Sequence, residues 1–200
     1  MAELTVGSII GGGFSRGFRN VIPLTVNIIL WALTIWIPYL NIGTTIGLAT
    51  IAIKMGGGKT ISAVEIFNPV YRKRMGEYFL TVALTYLGIV AGLIFVVIPG
   101  IVLAIAWSLS LLLVVGKELN PLEAMNQSNK LTYGKKWTIF GGEIILAIIV
   151  FVVTGIFYYL GMVTHGAASV ILYIISVILY LISISILIGA QATIYENLAG

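Results

Sequence analysis

Charge is absent from three long stretches of the chain. Thirty-four uncharged residues separate Arg19 from Lys54, a second run extends from Tyr78 to Gly116, and after Glu143 only His165 intervenes before Glu196. A helix needs roughly 20 apolar residues to cross the hydrocarbon of a bilayer. The first run is therefore long for one crossing and short for two. Trp36-Ile37-Pro38-Tyr39-Leu40-Asn41 carries turn residues at its middle, which predicts two short spans, Val21 to Ile37 and Leu40 to Ile53. An alternative reading makes this pair one bent re-entrant element, which would have to be buried in protein. Ile98-Pro99-Gly100-Ile101 divides the second run into Phe79 to Val97 and Ile101 to Val115. Gly161 through Gly166 divides the third into Thr138 to Leu160 and Ala167 to Ala190. The pattern predicts an all-α, polytopic integral membrane protein: six transmembrane helices arranged as three hairpins, in a single membrane domain.

Composition agrees. Hydrophobic residues make up 60% of the 200-residue chain and charged residues 9%, with a mean hydropathy of +1.10. A soluble domain carries about 25% charged residues, so this surface is predicted to face lipid. There is no cysteine, which excludes a disulfide scaffold, thiol catalysis and cysteine metal ligation.

Charge placement then sets an orientation. Arg16 and Arg19 precede the first span. Lys54, Lys59, Arg72, Lys73 and Arg74 lie between the second and third, and Lys117, Lys130, Lys135 and Lys136 between the fourth and fifth. The other connections hold no basic residue, so all eleven fall on one side. The positive-inside rule predicts that this side, and both termini, are cytoplasmic in a multi-pass membrane protein. The N-terminus does not read as a cleavable signal, because Glu3 stands where positive charge belongs and Gly11 to Gly13 interrupt the apolar stretch.

Offset by 58 residues, the chain matches itself: Gly58-Lys59 with Gly116-Lys117, Glu65 with Glu123, Gly76 with Gly134, and Phe79 with Trp137. Pro38 and Pro99 align at 61. This predicts an internal parallel repeat, about 37–79 and 98–140. Within it, Ser62-Ala63-Val64-Glu65 reads as a capping box and Asn120-Pro121-Leu122-Glu123 as its counterpart with proline at the first helical position. Each is expected to open a short interfacial helix on the cytoplasmic side. Val64, Phe67 and Tyr71 would share one face of the first, with Leu122, Met125 and Leu131 less regularly placed on the second. Their basic far ends, Arg72, Lys73 and Arg74 and then Lys130, Lys135 and Lys136, are expected to contact anionic lipid headgroups. The segment from Val6 to Arg19 is a third candidate of this kind.

Ile98-Pro99-Gly100-Ile101 followed by Glu123-Ala124, Ser128, Leu131, Gly134 and Trp137 resembles a prokaryotic superfamily of six-helix membrane proteins. It includes the membrane domain of some glycerophosphodiester phosphodiesterases and many uncharacterised inner-membrane proteins. Val6-Gly7 through Phe18 and the Gly58 to Phe67 connector also fit. The resemblance implies an integral membrane module of a prokaryotic plasma (inner) membrane. The phosphodiesterase activity does not carry over, because no such domain is present.

Polar groups inside the spans are the candidate chemistry. Glu143 is the one acid well inside a predicted span, read either as snorkelling or lysine-paired, or as a buried carboxylate on a proton or cation path. Asn27 is read as a bridge between helices. Ser169, Tyr173, Ser176, Tyr180 and Ser183 are spaced 4, 3, 4, 3 and share one face of the last span. Such a stripe either packs helices or lines a pathway. Gly43 with Gly47, Gly88 with Gly92, and Gly100-Ala104-Ser108 form close-packing ridges, some of which are candidates for a homo-oligomer contact.

Two motifs are decoys. Gly56-Gly57-Gly58-Lys59-Thr60 lacks the first glycine of a phosphate loop, Ile53 standing there, and follows a span rather than a strand. His165 is the sole histidine, the chain has no Asp, and no triad, carboxylate pair or metal cluster forms around it. The expectation is a protein that is not an enzyme, with no cofactor, no metal, and no nucleotide or nucleic-acid partner. Two functions stand open: a channel or transporter-like module for ions or small solutes, or a structural or regulatory membrane protein binding anionic lipids or protein partners.

Overall fold

The computed structural model describes residues 3–200, and every regular element among them is helical. Thr5 and Ser8 cap each other's backbone amides (3.1 and 2.9 Å) and start α1, Val6–Arg19. At Asn20 the chain bends by 74° into α2, Val21–Thr34. Pro38 opens α3, Pro38–Thr50, which a single residue separates from α4, Ala52–Gly56.

After two 3₁₀ turns, Glu65–Phe67 and Pro69–Arg72, comes α5, Met75–Phe95. It turns back at Val96 into α6, Val97–Ala106, and α7, Ser110–Gly116. Then follow α8, Pro121–Thr132, and the long hairpin of α9, Lys136–Val163, and α10, Ala167–Ala199.

Among the described residues, four stretches are long and apolar enough to cross a membrane: α5, α6 with α7, α9 and α10. The bent pair α1–α2 makes five if it counts as one span. The charge-free runs predict six. The shortfall lies in the first hairpin, where α2 and α3 have 14 and 13 residues and so reach only about 20 Å, against a hydrocarbon core of about 30 Å.

Three further expectations shift. Pro99 does not make the turn of the second hairpin. It sits at the third position of α6, where a missing N–H costs nothing, and the reversal falls on Val96, φ −158° and ψ 134°. The stretch it opens is broken at Trp107–Leu109, and α8 mends the break: Ser128 Oγ donates to the Ala106 carbonyl at 2.7 Å and accepts the Leu109 N–H at 3.2 Å. Finally, α9 and α10 overrun their predicted ends, to Val163 and Ala199.

The two connectors aligned at an offset of 58 take different forms. Asn120 caps α8 as expected, its Oδ1 accepting the Glu123 N–H at 2.9 Å. The first connector holds no α-helix. Pro69 forces Asn68 into an extended conformation, φ −60° and ψ 122°, and Glu65 turns inward instead of reaching back to Ser62.

The core surrounds the last third of α10. Ile186, Ala190, Ala192, Ile194 and Tyr195 are buried there against α1, α4 and α7. Where α1 crosses, both backbones close in. A Cβ on Gly17 would stand 2.7 Å from Ile186 Cα, and one on Gly189 2.6 Å from the Gly13 carbonyl oxygen. Away from this core the hairpins are apolar outside as well as in, with Phe95, Trp36 and Phe151 each more than three-quarters exposed. That is the surface of a membrane-embedded protein.

Candidate functional site

Three constellations hold the polar side chains. The first lies between α9 and α10. Glu143 is half-buried and accepts a 3.3 Å hydrogen bond from Gln191 Nε2. Gln191 in turn borders a cleft of 360 Å³ formed with Ile28 and Trp31 of α2 and Leu48 of α3. Gln191 was not singled out by the sequence, because it lies eight residues beyond the serine–tyrosine stripe and off its face.

The stripe itself looks toward α9. Ser169 Oγ donates to the Gly161 carbonyl at 2.7 Å across the hairpin turn. Tyr173 stands edge-on to Tyr158, ring centroids 5.6 Å apart, over Gly161. Ser176 and Tyr180 border a shallow, largely apolar cleft of 300 Å³ with Phe151, Thr154 and Tyr158. Ser183 is buried and donates to the Leu179 carbonyl one turn back. The glycine ridges are likewise used inside the chain: Gly92 meets Gly100, Gly88 meets Trp107, and Gly43 and Gly47 lie under Arg72 and Tyr71.

The second constellation fixes the first connector to α2. Asn27 is fully buried. Its Nδ2 donates to the carbonyls of Pro23 (2.7 Å) and Ser62 (2.8 Å), and its Oδ1 accepts the Ile66 N–H at 3.0 Å. Two turns earlier, Asn20 accepts the Ile61 N–H at 3.3 Å. Asn27 thus bridges a helix to a loop, not a helix to a helix. Behind the clamp, Glu65 is buried and forms an ion pair with Lys54 while accepting the Tyr71 hydroxyl at 2.9 Å. Burial, and next the hydrogen bond to Glu65, push the Tyr71 hydroxyl well above its usual range.

The third constellation is basic. Arg16 of α1 pairs with Glu196 and Thr193 at the end of α10. Lys135 pairs with Glu3 at 2.7 Å, and this hydrogen bond together with the lysine's charge holds the Glu3 carboxyl below its usual range. Arg74 reaches Glu77 (3.4 Å) and Glu118 (3.1 Å). Arg19 donates to the Gly58 carbonyl at 3.1 Å, Lys136 to Asn129 Oδ1 at 2.9 Å, and the Arg72 guanidinium lies 5.5 Å over the Tyr39 ring. Lys59, Lys73, Lys117 and Lys130 make no ion pair among the described residues. Of the six residues expected to face headgroups, Arg72, Arg74, Lys135 and Lys136 have partners inside the chain, and Lys73 and Lys130 make no ion pair among the described residues.

No protein family, curated protein or solved structure matches the chain.

Proposed function

We propose that this is a structural or regulatory membrane protein that holds anionic lipid headgroups on one basic face. The observation that carries the reading is the division of labour among its cations. Six of the seven acids are hydrogen-bonded or ion-paired to a neighbour in the fold, while Lys59, Lys73, Lys117 and Lys130, on exposed connectors, make no ion pair among the described residues. Cations left over at the ends of apolar helices are the arrangement that anionic headgroups neutralise, each worth about 1 kcal/mol.

In this proposal α5, α6–α7, α9 and α10 are the spans, and α1 to α4 lie as a layer at the inner interface. Arg72 over Tyr39 at one end of α3, and Lys54 just past its other end, favour an α3 that does not cross. Removing that hairpin from the count changes the number of spans by two. All eleven basic residues and both termini therefore stay on the cytoplasmic side of a prokaryotic inner membrane. A four-span layout departs from the six-helix superfamily that the sequence resembles, so that likeness is not carried into the proposal.

The test is the lipid dependence of stability in nanodiscs. Wild type should be more heat-stable in phosphatidylglycerol than in phosphatidylcholine. Replacing Lys59, Lys73, Lys117 and Lys130 together by Gln should remove the difference. An unchanged difference in the quadruple variant would overturn the reading.

One observation favours a transport module instead: the half-buried Glu143 facing Gln191 between two spans. That reading requires proton or cation flux in proteoliposomes that Glu143→Gln abolishes. Our proposal expects no flux above protein-free vesicles.

A further inference from the structure

A groove of 210 Å³ runs between α6 and α9. Ile98, Ile101, Val102 and Ile105 form one wall, at the i, i+3, i+4, i+7 spacing that puts them on a single helix face. Phe140 closes the other side, set edge-on to Trp137 at 6.1 Å. Apart from Phe140, α9 contributes Lys136 and Trp137. Lys136 is half-buried, has a neutral amide oxygen as its hydrogen-bond partner, and makes no ion pair among the described residues. Trp137 is 76% exposed, an amphipathic ring of the kind that settles where hydrocarbon meets headgroup.

The groove is therefore apolar along its walls, with one uncompensated cation and one indole N–H. A peptide would need acceptors and donors that these side chains do not offer. A hydrocarbon chain ending in an anion needs only what is there.

We propose that this groove is a lipid site, taking one acyl chain of an anionic phospholipid along α6, with the lipid phosphate on the Lys136 ammonium. The inference rests on the anionic-lipid reading above and assigns it a place. It also gives a role to Lys136, which stands outside the four lysines of the basic-face argument because Asn129 accepts its hydrogen bond.

The experiment uses the full chain in nanodiscs carrying phospholipids brominated on their acyl chains. Bromine quenches tryptophan on contact, and the Trp137 contribution is the difference between wild type and Trp137→Phe. Brominated phosphatidylglycerol should quench that contribution about fivefold more effectively than brominated phosphatidylcholine, the worth of one lysine toward an anionic headgroup. Lys136→Gln should make the two lipids equal. Val102→Phe, which fills the groove and leaves the lysine, should reduce quenching by both. Soluble glycerol phosphate should not compete, since it has no chain to bury; competition would assign the site to a free phosphate and overturn the lipid. Equal quenching in wild type, or a preference that survives Lys136→Gln, would also overturn the proposal. The stability difference lost in the four-lysine variant is read independently, so the groove can fail while the basic-face reading stands, and the reverse.

Discussion

Asn27 on α2 and Ile66, 39 residues later, are joined by a 3.0 Å hydrogen bond from the Ile66 backbone to the Asn27 carboxamide. The same side chain holds the Ser62 carbonyl at 2.8 Å, so one residue fixes both ends of the five-residue arc Ser62 to Ile66 of the connector. Buried backbone groups deprived of partners cost about 1–3 kcal/mol each. Asn27→Leu should therefore lower stability by about 2–4 kcal/mol, seen as a fall in the thermal midpoint in detergent, with faster proteolysis at Lys59. Asn20→Leu should cost less, because its contact with the connector is the single 3.3 Å bond to Ile61. Equal effects from the two would mean that the clamp does not bear on the connector as described.

The two capping sequences make opposite predictions despite their likeness. Asn120 caps a real helix of 12 residues, and Asn120→Ala should cost about 1 kcal/mol. Ser62 precedes a 3₁₀ turn and no α-helix, and its hydroxyl accepts only a long 3.4 Å contact from the Val64 N–H. Ser62→Ala should leave the thermal midpoint nearly unmoved. A loss at Ser62 as large as at Asn120 would contradict the fold of the first connector.

These two sites also mark how far the sequence could be read. The apolar runs of α5, α9 and α10 were plain because bilayer-facing helices are apolar all round and nothing else competes for the pattern. Asn120-Pro121-Leu122-Glu123 was legible because cap, proline and acid act within one turn. Ser62 to Glu65 has the same local grammar, but Lys54 and Tyr71 claim the glutamate through contacts 11 and 6 residues away. Local rules carry no term for that. The basic partition could not expose the short first hairpin, since a hairpin returns the chain to the side it left. Of the candidate residues, Asn27 and Glu143 were found by being polar in apolar surroundings. Gln191 and Asn20 carry the same signal more faintly, near helix ends where polarity is ordinary.

The crossing of α1 over α10 depends on glycines that meet backbone rather than side chains. A Cβ on Gly189 would lie 2.6 Å from the Gly13 oxygen and 2.9 Å from the Gly17 nitrogen, atoms that cannot swing aside. Gly189→Ala should cost about 1–3 kcal/mol and loosen α1. The chain has no native cysteine, so a thiol at the buried Ile9 reports the loosening: Ile9→Cys should react with maleimide faster beside Gly189→Ala than alone. Gly11 has open space around it. Gly11→Ala should be neutral or stabilise by about 0.5–1 kcal/mol, since alanine loses less backbone entropy in a helix. If Gly189→Ala leaves the labelling rate unchanged, α1 is not held by this approach.

Tyr71 ties stability to alkaline pH. Its hydroxyl donates to Glu65 at 2.9 Å, and burial with that carboxylate raises its pKa above the ordinary 10.0. The folded chain therefore keeps a proton that the unfolded chain releases first. The contribution is complete below pH 10, and it drains away as pH rises above 10 toward the folded value. Tyr71→Phe lacks both the hydrogen bond and the ionisation. It should be less stable than wild type at pH 8 by about 1–3 kcal/mol, and flatter above pH 10, so that the two curves converge. Thermal midpoints in detergent from pH 8 to 11 measure this. Curves that stay parallel across the range would show that the Tyr71 proton is not held by the fold.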